Sequence, residues 1–231
     1  MYKSCGIQVR LSGKTHEEFV DHWVNVHAAK SDGVGPDEGL FGYVANEVIG
    51  FITPKDLPKL DILEEVDGIA QMWFDQKEGL HALAQYPTVQ QWFKDGPNYC
   101  GNRVGLILEE NVIKNPGITP RAHAKVFMFL QLKDEEGFSA LDKAVRALQE
   151  MPCVEGLCVS AVVAANASVN MPSFELPRID VVVEMWCHHM TGYKRAMASD
   201  EGNEFMKVLA SHYNSISIIE TREIVFKPPS F

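Results

Sequence analysis

The sequence predicts an α+β fold built from a repeated βαββαβ unit, and three observations predict it. Strand-like and helix-like segments run through the 231 residues in the order βαββαβ twice over. Short identities recur in the same order on those segments. Glu38-Gly39-Leu40 answers Glu155-Gly156-Leu157 at an offset of 117, while Asp67, Met72, Trp73 and Gly79 answer Asp180, Met185, Trp186 and Gly192 at an offset of 113. The third observation is that KVFMFLQL and VVVEMW are apolar at both alternating positions, so both faces of those strands must be buried.

Residues 2–11 read as the first strand, and Thr15 then opens a helix as N-cap, with Glu18 three positions on completing a capping box. That helix is expected to run to about Asp32. Residues 39–51 and 68–74 carry the aromatic and β-branched content of strands. Helical spacing returns over 76–93, interrupted at Pro87, before a fourth strand at 103–113. The Pro- and Gly-containing stretch 114–121 reads as a linker. Beyond it the order starts again: strand 124–133, helix 135–151, strands 154–164 and 179–187, helix 191–213 and strand 216–226.

Each unit, 1–113 and 122–231, has the order of a ferredoxin-like split βαβ, a four-stranded antiparallel sheet with two helices on one face. Its other face needs cover, and the second unit can supply it by packing sheet to sheet within one chain, as an α+β barrel with the helices outside. An internal pairing of this kind leaves a homodimer possible but not obligatory.

Composition narrows the partners. Twenty-one Lys and Arg against 31 Asp and Glu give a formal charge of −10, which disfavours nucleic acid and anionic membrane surfaces. No apolar run approaches the roughly 20 residues of a membrane span, and MYKSCGIQVR lacks the apolar stretch of a signal peptide, so a cytoplasmic protein is expected. The five cysteines, Cys5, Cys100, Cys153, Cys158 and Cys187, are scattered with no C-x-x-C spacing, which suggests neither a disulfide framework nor a zinc knuckle. His188 and His189 are adjacent and lack further donors at ligand spacing, and no metal site is expected. GVGPDEG at 33–39 ends a helix instead of opening one, so it offers no phosphate cradle, and no Rossmann, Walker or G-x-S-x-G signature occurs. His16 and His123 are expected at the surface, and the glycosylation-like NAS at 166–168 carries no weight in a cytoplasmic chain.

The first helix, THEEFVDHWVNVHA, follows a strand ending at Arg10-Leu11 and contains Glu17, Glu18, Phe19, Trp23 and His27 in the spacing E-E-F-x-x-x-W-x-x-x-H. With the aromatic strand GIAQMWF and the acidic start Asp75 to Glu78, this resembles the EthD family within the dimeric α+β barrel superfamily. The motif match covers roughly 1–113, whereas the second half is similar only in architecture and its Met-Trp strand. The resemblance implies a hydrophobic pocket between sheet and helices, carrying a histidine or two, with no bound metal or organic cofactor. Relatives in this superfamily include accessory proteins of degradative oxidation, lactone isomerases, polyketide cyclases and cofactor-free monooxygenases, so fold alone does not choose the reaction.

At about 100° per residue, Val26, Phe19, Trp23, His27 and Val20 share one helical arc of about 120°. His27 should therefore point inward, where the second-half helix has Phe138, Leu141, Val145 and Leu148. A buried imidazole left without a partner costs about 1–3 kcal/mol, so its presence favours a role as general acid or base. His22 lies on the flank of the arc, within reach of a pocket mouth, and Tyr43 on the second strand is a candidate hydrogen-bond donor to a developing enolate. Phe19, Trp23 and Trp73 are candidate apolar walls; Gln71, with its counterpart Glu184, is a reserve polar contact whose strand face is open at this point. The expected chemistry is cofactor-independent acid–base catalysis on a small hydrophobic aromatic or polyketide-like carbonyl or phenolic compound, as a lyase, isomerase or cyclase. A cofactor-free monooxygenase is the alternative within the enzymes, and a non-catalytic accessory protein of a degradative oxidation pathway is the alternative outside them. The pocket at His27 should measure a few hundred cubic ångströms, bounded by Tyr43 or Trp73.

Overall fold

A computed structural model describes residues 1–53, 65–117, 124–165 and 176–229. Eight strands form the framework: β1 (Tyr2–Arg10), β2 (Gly42–Ile52), β3 (Gly68–Phe74), β4 (Cys100–Lys114), β5 (Ala124–Leu132), β6 (Val154–Ala165), β7 (Val181–Cys187) and β8 (Tyr213–Lys227). The helices are α1 (His16–Asp21), α2 (Gly79–Leu83), α3 (Pro87–Phe93), α4 (Glu136–Gln149), α5 (Met190–Met197) and α6 (Asp200–His212). His123, the glycosylation-like triplet and half of the expected linker, 118–121, lie outside the described residues.

The strands close into one antiparallel barrel in the order β1-β3-β2-β8-β5-β7-β6-β4. The expected α+β barrel is present; what the structure corrects is its construction, since the eight strands form one continuous closed sheet and not two sheets laid face to face. Strands β4 and β8, 15 residues each, run on past their own neighbours. β2 pairs with β8 from Tyr43↔Lys227 to Ile52↔Ile218, and β4 pairs with β6 from Leu106↔Ala165 to Lys114↔Leu157. Joining the sheets at their edges satisfies the backbone donors and acceptors that free edges would leave exposed.

Strand alternation then divides the apolar residues into three cores. Cys5, Ile7, Ile69, Leu106, Leu108, Phe127, Phe129, Val182 and Ile219 fill the barrel interior. On the outside, Ala70, Met72 and Phe74 of β3 pack against Phe19, Trp23, Leu80 and Trp92, while Val126, Met128 and Leu130 of β5 pack against Leu141, Val145, Phe205 and Leu209. Burial on both faces explains why both parities of these strands are largely apolar.

The interior is not wholly apolar. Lys3 is paired in register with Trp73, and Lys125 with Trp186. Lys3 Nζ is 2.8 Å from Glu110 Oε1, and Lys125 Nζ is 2.9 Å from Glu223 Oε1. The same two carboxylates accept the indole N–H groups of Trp73 and Trp186, at 3.2 and 3.3 Å. Between these two clusters, Glu184 pairs with both Lys3 and Lys125. Burial would raise the Glu184 carboxyl, but the two ammonium groups hold it down at about 2. Gln71, Glu184, Trp73 and Trp186 therefore all face the barrel interior, which answers the question the sequence left open.

Candidate active site

Helix α1 begins as its capping box predicts: Glu18 N donates to Thr15 Oγ1 at 3.2 Å, and Thr15 N donates to Glu18 Oε2 at 2.8 Å. It does not continue as a regular α-helix. Residues His22–His27 form a π-helical stretch, closed by Ala28 N–H donating to Trp23 O, and Ala28–Ser31 follow as a 3-10 turn. The wider turn slows the rotation per residue and brings His27 back towards the face of Trp23. Val26, placed at one edge of the expected arc, is consequently turned out and is 41% exposed.

Phe19 and Trp23 are fully buried, with rings 5.4 Å apart. The Trp23 ring lies so close to β3 that a Cβ on Gly68 would sit 2.3 Å from it, so only glycine fits there. Its indole N–H donates to the Tyr43 hydroxyl at 3.0 Å. These three side chains belong to one packed cluster with Trp92, whose ring lies 5.7 Å from that of His27.

His27 itself meets a carboxylate that the sequence reading missed. Asp95, in the turn after α3, is buried and collects four donors: His27 Nδ1 at 3.1 Å, His22 Nε2 at 3.2 Å, Asn98 Nδ2 at 3.0 Å and the Lys30 ammonium. Burial would raise the Asp95 carboxyl, but the donors together outweigh it and hold it far below the usual carboxylate range. An ionised Asp95 can only accept, so His27 Nδ1 carries the proton and Nε2 presents its lone pair. Burial, with the Asp95 bond opposing it and the cations Arg103 and Lys30 adding to it, lowers His27 to about 4. The imidazole is thus neutral at pH 7, oriented by a carboxylate, with a basic nitrogen free. No sequence signal marked Asp95, because KDGPNY reads as an ordinary turn.

The space beside His27 is small. His27 borders a crevice with Gln8, Phe93, Gly96, Tyr99, Cys100 and Arg103, whose volume of about 10 Å³ is about one water's. This corrects the expected pocket of a few hundred cubic ångströms. Tyr99 fills much of that space: its ring stacks on His22 at 5.4 Å and lies 4.9 Å from His27.

The seven sequence candidates fall on two sides of the sheet. His27, His22, Trp23, Phe19 and Tyr43 cluster on the helix side, although Tyr43 does not reach the crevice. Gln71 and Trp73 point into the barrel and cannot touch a ligand at His27, because β3 alternates its side chains and its helix side is taken by Ala70, Met72 and Phe74. In the second half, α4 offers Leu141, Ala144, Val145 and Leu148 at its buried face.

A larger groove, about 710 Å³, opens elsewhere, among Arg10, Lys14, His16, Val48, Phe51 and Asp67. His16, expected at the surface, is held there by Asp67 at 2.9 Å. Asp67 also accepts from Arg10 N, as Asp180 accepts from Leu132 N, both at 2.8 Å, so the repeated aspartates close equivalent strand ends. Among the described residues no cluster of three or more His, Cys, Asp or Glu could hold a metal ion, and no helix is long and apolar enough to cross a membrane.

No curated protein matches the chain in sequence. In structure it is similar to an anthrone oxidase-like protein (TM-score 0.64, 7% identity, covering 99% of this chain and 94% of the other). It is also similar to a candidate monooxygenase of Fusobacterium nucleatum (TM-score 0.68, 8% identity, 100% and 95% covered). A variant chlorite dismutase of Candidatus Nitrospira defluvii aligns with a TM-score of 0.52 at 9% identity, covering 96% and 90%. At such identities the likeness is one of fold, a mixed α+β barrel. In sequence, residues 11–102, which hold α1, Trp23, His27 and Asp95, match the model of the EthD domain.

Proposed function

We propose that the protein is an enzyme in which His27 Nε2 acts as a general base on a small, flat, hydrophobic carbonyl or phenolic compound. The observation that carries this reading is the His27–Asp95 pair, which leaves a neutral imidazole, with one nitrogen free, in the wall of a crevice. Asp95 then stabilises the imidazolium that forms when the proton is taken. His22 and Lys30 hold Asp95 in place from the more exposed side, and Trp23, Phe19 and Tyr43 fix α1 against the sheet. A substrate needs more room than the crevice now offers, so the crevice wall must open to admit one.

Proton abstraction is the first step of a lyase, isomerase or cyclase on such a compound. It is equally the first step of oxidation by molecular oxygen, and the names of the anthrone oxidase-like and candidate monooxygenase structures favour testing that second reading. We also read the chain as two ferredoxin-like units, 1–113 and 122–231, joined by 114–121, in which only the first kept a polar site. In this reading the internal pairing makes an obligate homodimer unnecessary.

The test uses anthrone and simple β-diketones. Deuterium incorporation from heavy water reports proton abstraction, and oxygen uptake separates oxidation from isomerisation. His27→Ala should slow either by about 10²–10⁴-fold. Unchanged rates in that variant would remove His27 from the chemistry, and tight binding without exchange or oxygen uptake would make the protein an accessory binder.

A further inference from the structure

We propose that Arg103 is an anion subsite, whose guanidinium binds the phenolate or enolate oxygen of the substrate beside His27 Nε2. The inference rests on the reading of His27 as the base, but it has its own structural grounds. Arg103 Nε is buried and makes no hydrogen bond, and no carboxylate lies within ion-pair distance of the guanidinium among the described residues. Arg10, Arg146, Arg178 and Arg222 are each paired with an Asp or Glu. Leaving a half-buried cation without a partner costs stability, so an arginine in that state points to an anion supplied from outside.

The sheet is shaped to receive it. Gly6 of β1 lies beneath the guanidinium, and a Cβ there would come within 2.6 Å of Nη2 and 2.7 Å of Nε. Gln8, paired in register with Arg103 and 1% exposed, lines the same crevice and leaves its Oε1 without a donor. Arg103 thus offers N–H donors to an oxyanion, Gln8 offers an acceptor to a hydroxyl, and Phe93 and Tyr99 offer flat walls to a ring. The field of Arg103 already reaches the neighbours, since it favours the ionised form of Tyr43, Tyr99 and Cys100 and the neutral form of His27.

In the step this serves, the substrate O–H or C–H bond breaks and its proton moves to His27 Nε2. The electron pair stays on the substrate as an oxyanion. Arg103 balances that charge while Asp95 balances the imidazolium.

The probe is 4-nitrophenolate, whose binding is read by its absorbance, with 4-nitroanisole as a neutral analogue of the same shape. The wild-type protein should bind the phenolate at least about tenfold more tightly than the anisole, and Arg103→Met should lose about 10- to 100-fold in phenolate affinity, the scale of one charge-assisted hydrogen-bonded contact. Arg103→Lys should recover part of it. His27→Gln should keep phenolate binding within about threefold, because the probe has no proton left to give. Equal binding of phenolate and anisole by the wild type would overturn the proposal even if Arg103→Met failed to fold. So would unchanged phenolate affinity in a folded Arg103→Met protein. If instead the phenolate contrast holds and His27→Ala leaves deuterium exchange intact, the base assignment fails while the anion subsite stands.

Discussion

Gln71 and Glu184, which occupy the same position in the two halves of the chain, meet inside the barrel, where Gln71 Nε2 donates to Glu184 Oε2 at 2.9 Å. Around them Lys3, Trp73 and Glu110 are matched by Lys125, Trp186 and Glu223. The near symmetry is broken where it has to be. Two carboxylates at this separation could not both ionise, whereas an amide facing a carboxylate supplies the donor the carboxylate needs.

Restoring the symmetry should therefore be costly. Gln71→Glu is expected to lower stability at neutral pH by about 2–4 kcal/mol, and to regain part of the loss as the pH falls and the pair takes up a shared proton. Urea unfolding at about pH 8 and pH 5 checks this; a loss independent of pH would mean that the lysines alone neutralise both carboxylates.

Removing the shared charge should cost as much. Glu184→Gln leaves Lys3 and Lys125 only Glu110 and Glu223 as ion-pair partners among the described residues, and stability should fall by about 3–5 kcal/mol, the cost of breaking a buried ion pair from one side. The readout is the denaturation midpoint at unchanged m-value.

The His27 site should leave a mark on stability against pH. Its folded pKa, about 4, lies below the ordinary 6.5, so the unfolded chain takes up a proton that the folded chain refuses. Stability is fully present above about pH 6.5 and falls as pH drops towards 4, by about 2–3 kcal/mol from this group. His27→Gln should flatten that part of the profile, and a wild-type profile flat between pH 6.5 and 4.5 would show that the imidazole is not held neutral.

Tyr43 gives a structural counterpart. Tyr43→Phe leaves the buried Trp23 N–H without its acceptor, which should destabilise by about 1–3 kcal/mol. Because Tyr43 stands behind the crevice wall, turnover in the folded variant should change far less than in His27→Ala, and a loss of equal size would put the Tyr43 hydroxyl in contact with substrate.

The order of strands and helices, the EthD resemblance over the first half and the inward-facing His27 were legible because they depend on local pattern: alternation, capping residues and motif spacing. Both-parity apolar strands also announced that each strand is covered twice. Three things needed the tertiary structure. The closure of the sheet depends on how far β4 and β8 extend across the seams, which is set by pairing between segments far apart in sequence. The face taken by Gln71 and Trp73 depends on which side of the sheet the helices cover, and alternation fixes only that neighbours differ. The third is the partner of His27: Asp95 lies 68 residues away in a turn without a motif. A sequence carries its local periodicity openly, whereas long-range contacts and the phase of a distorted helix exist only once the chain has packed.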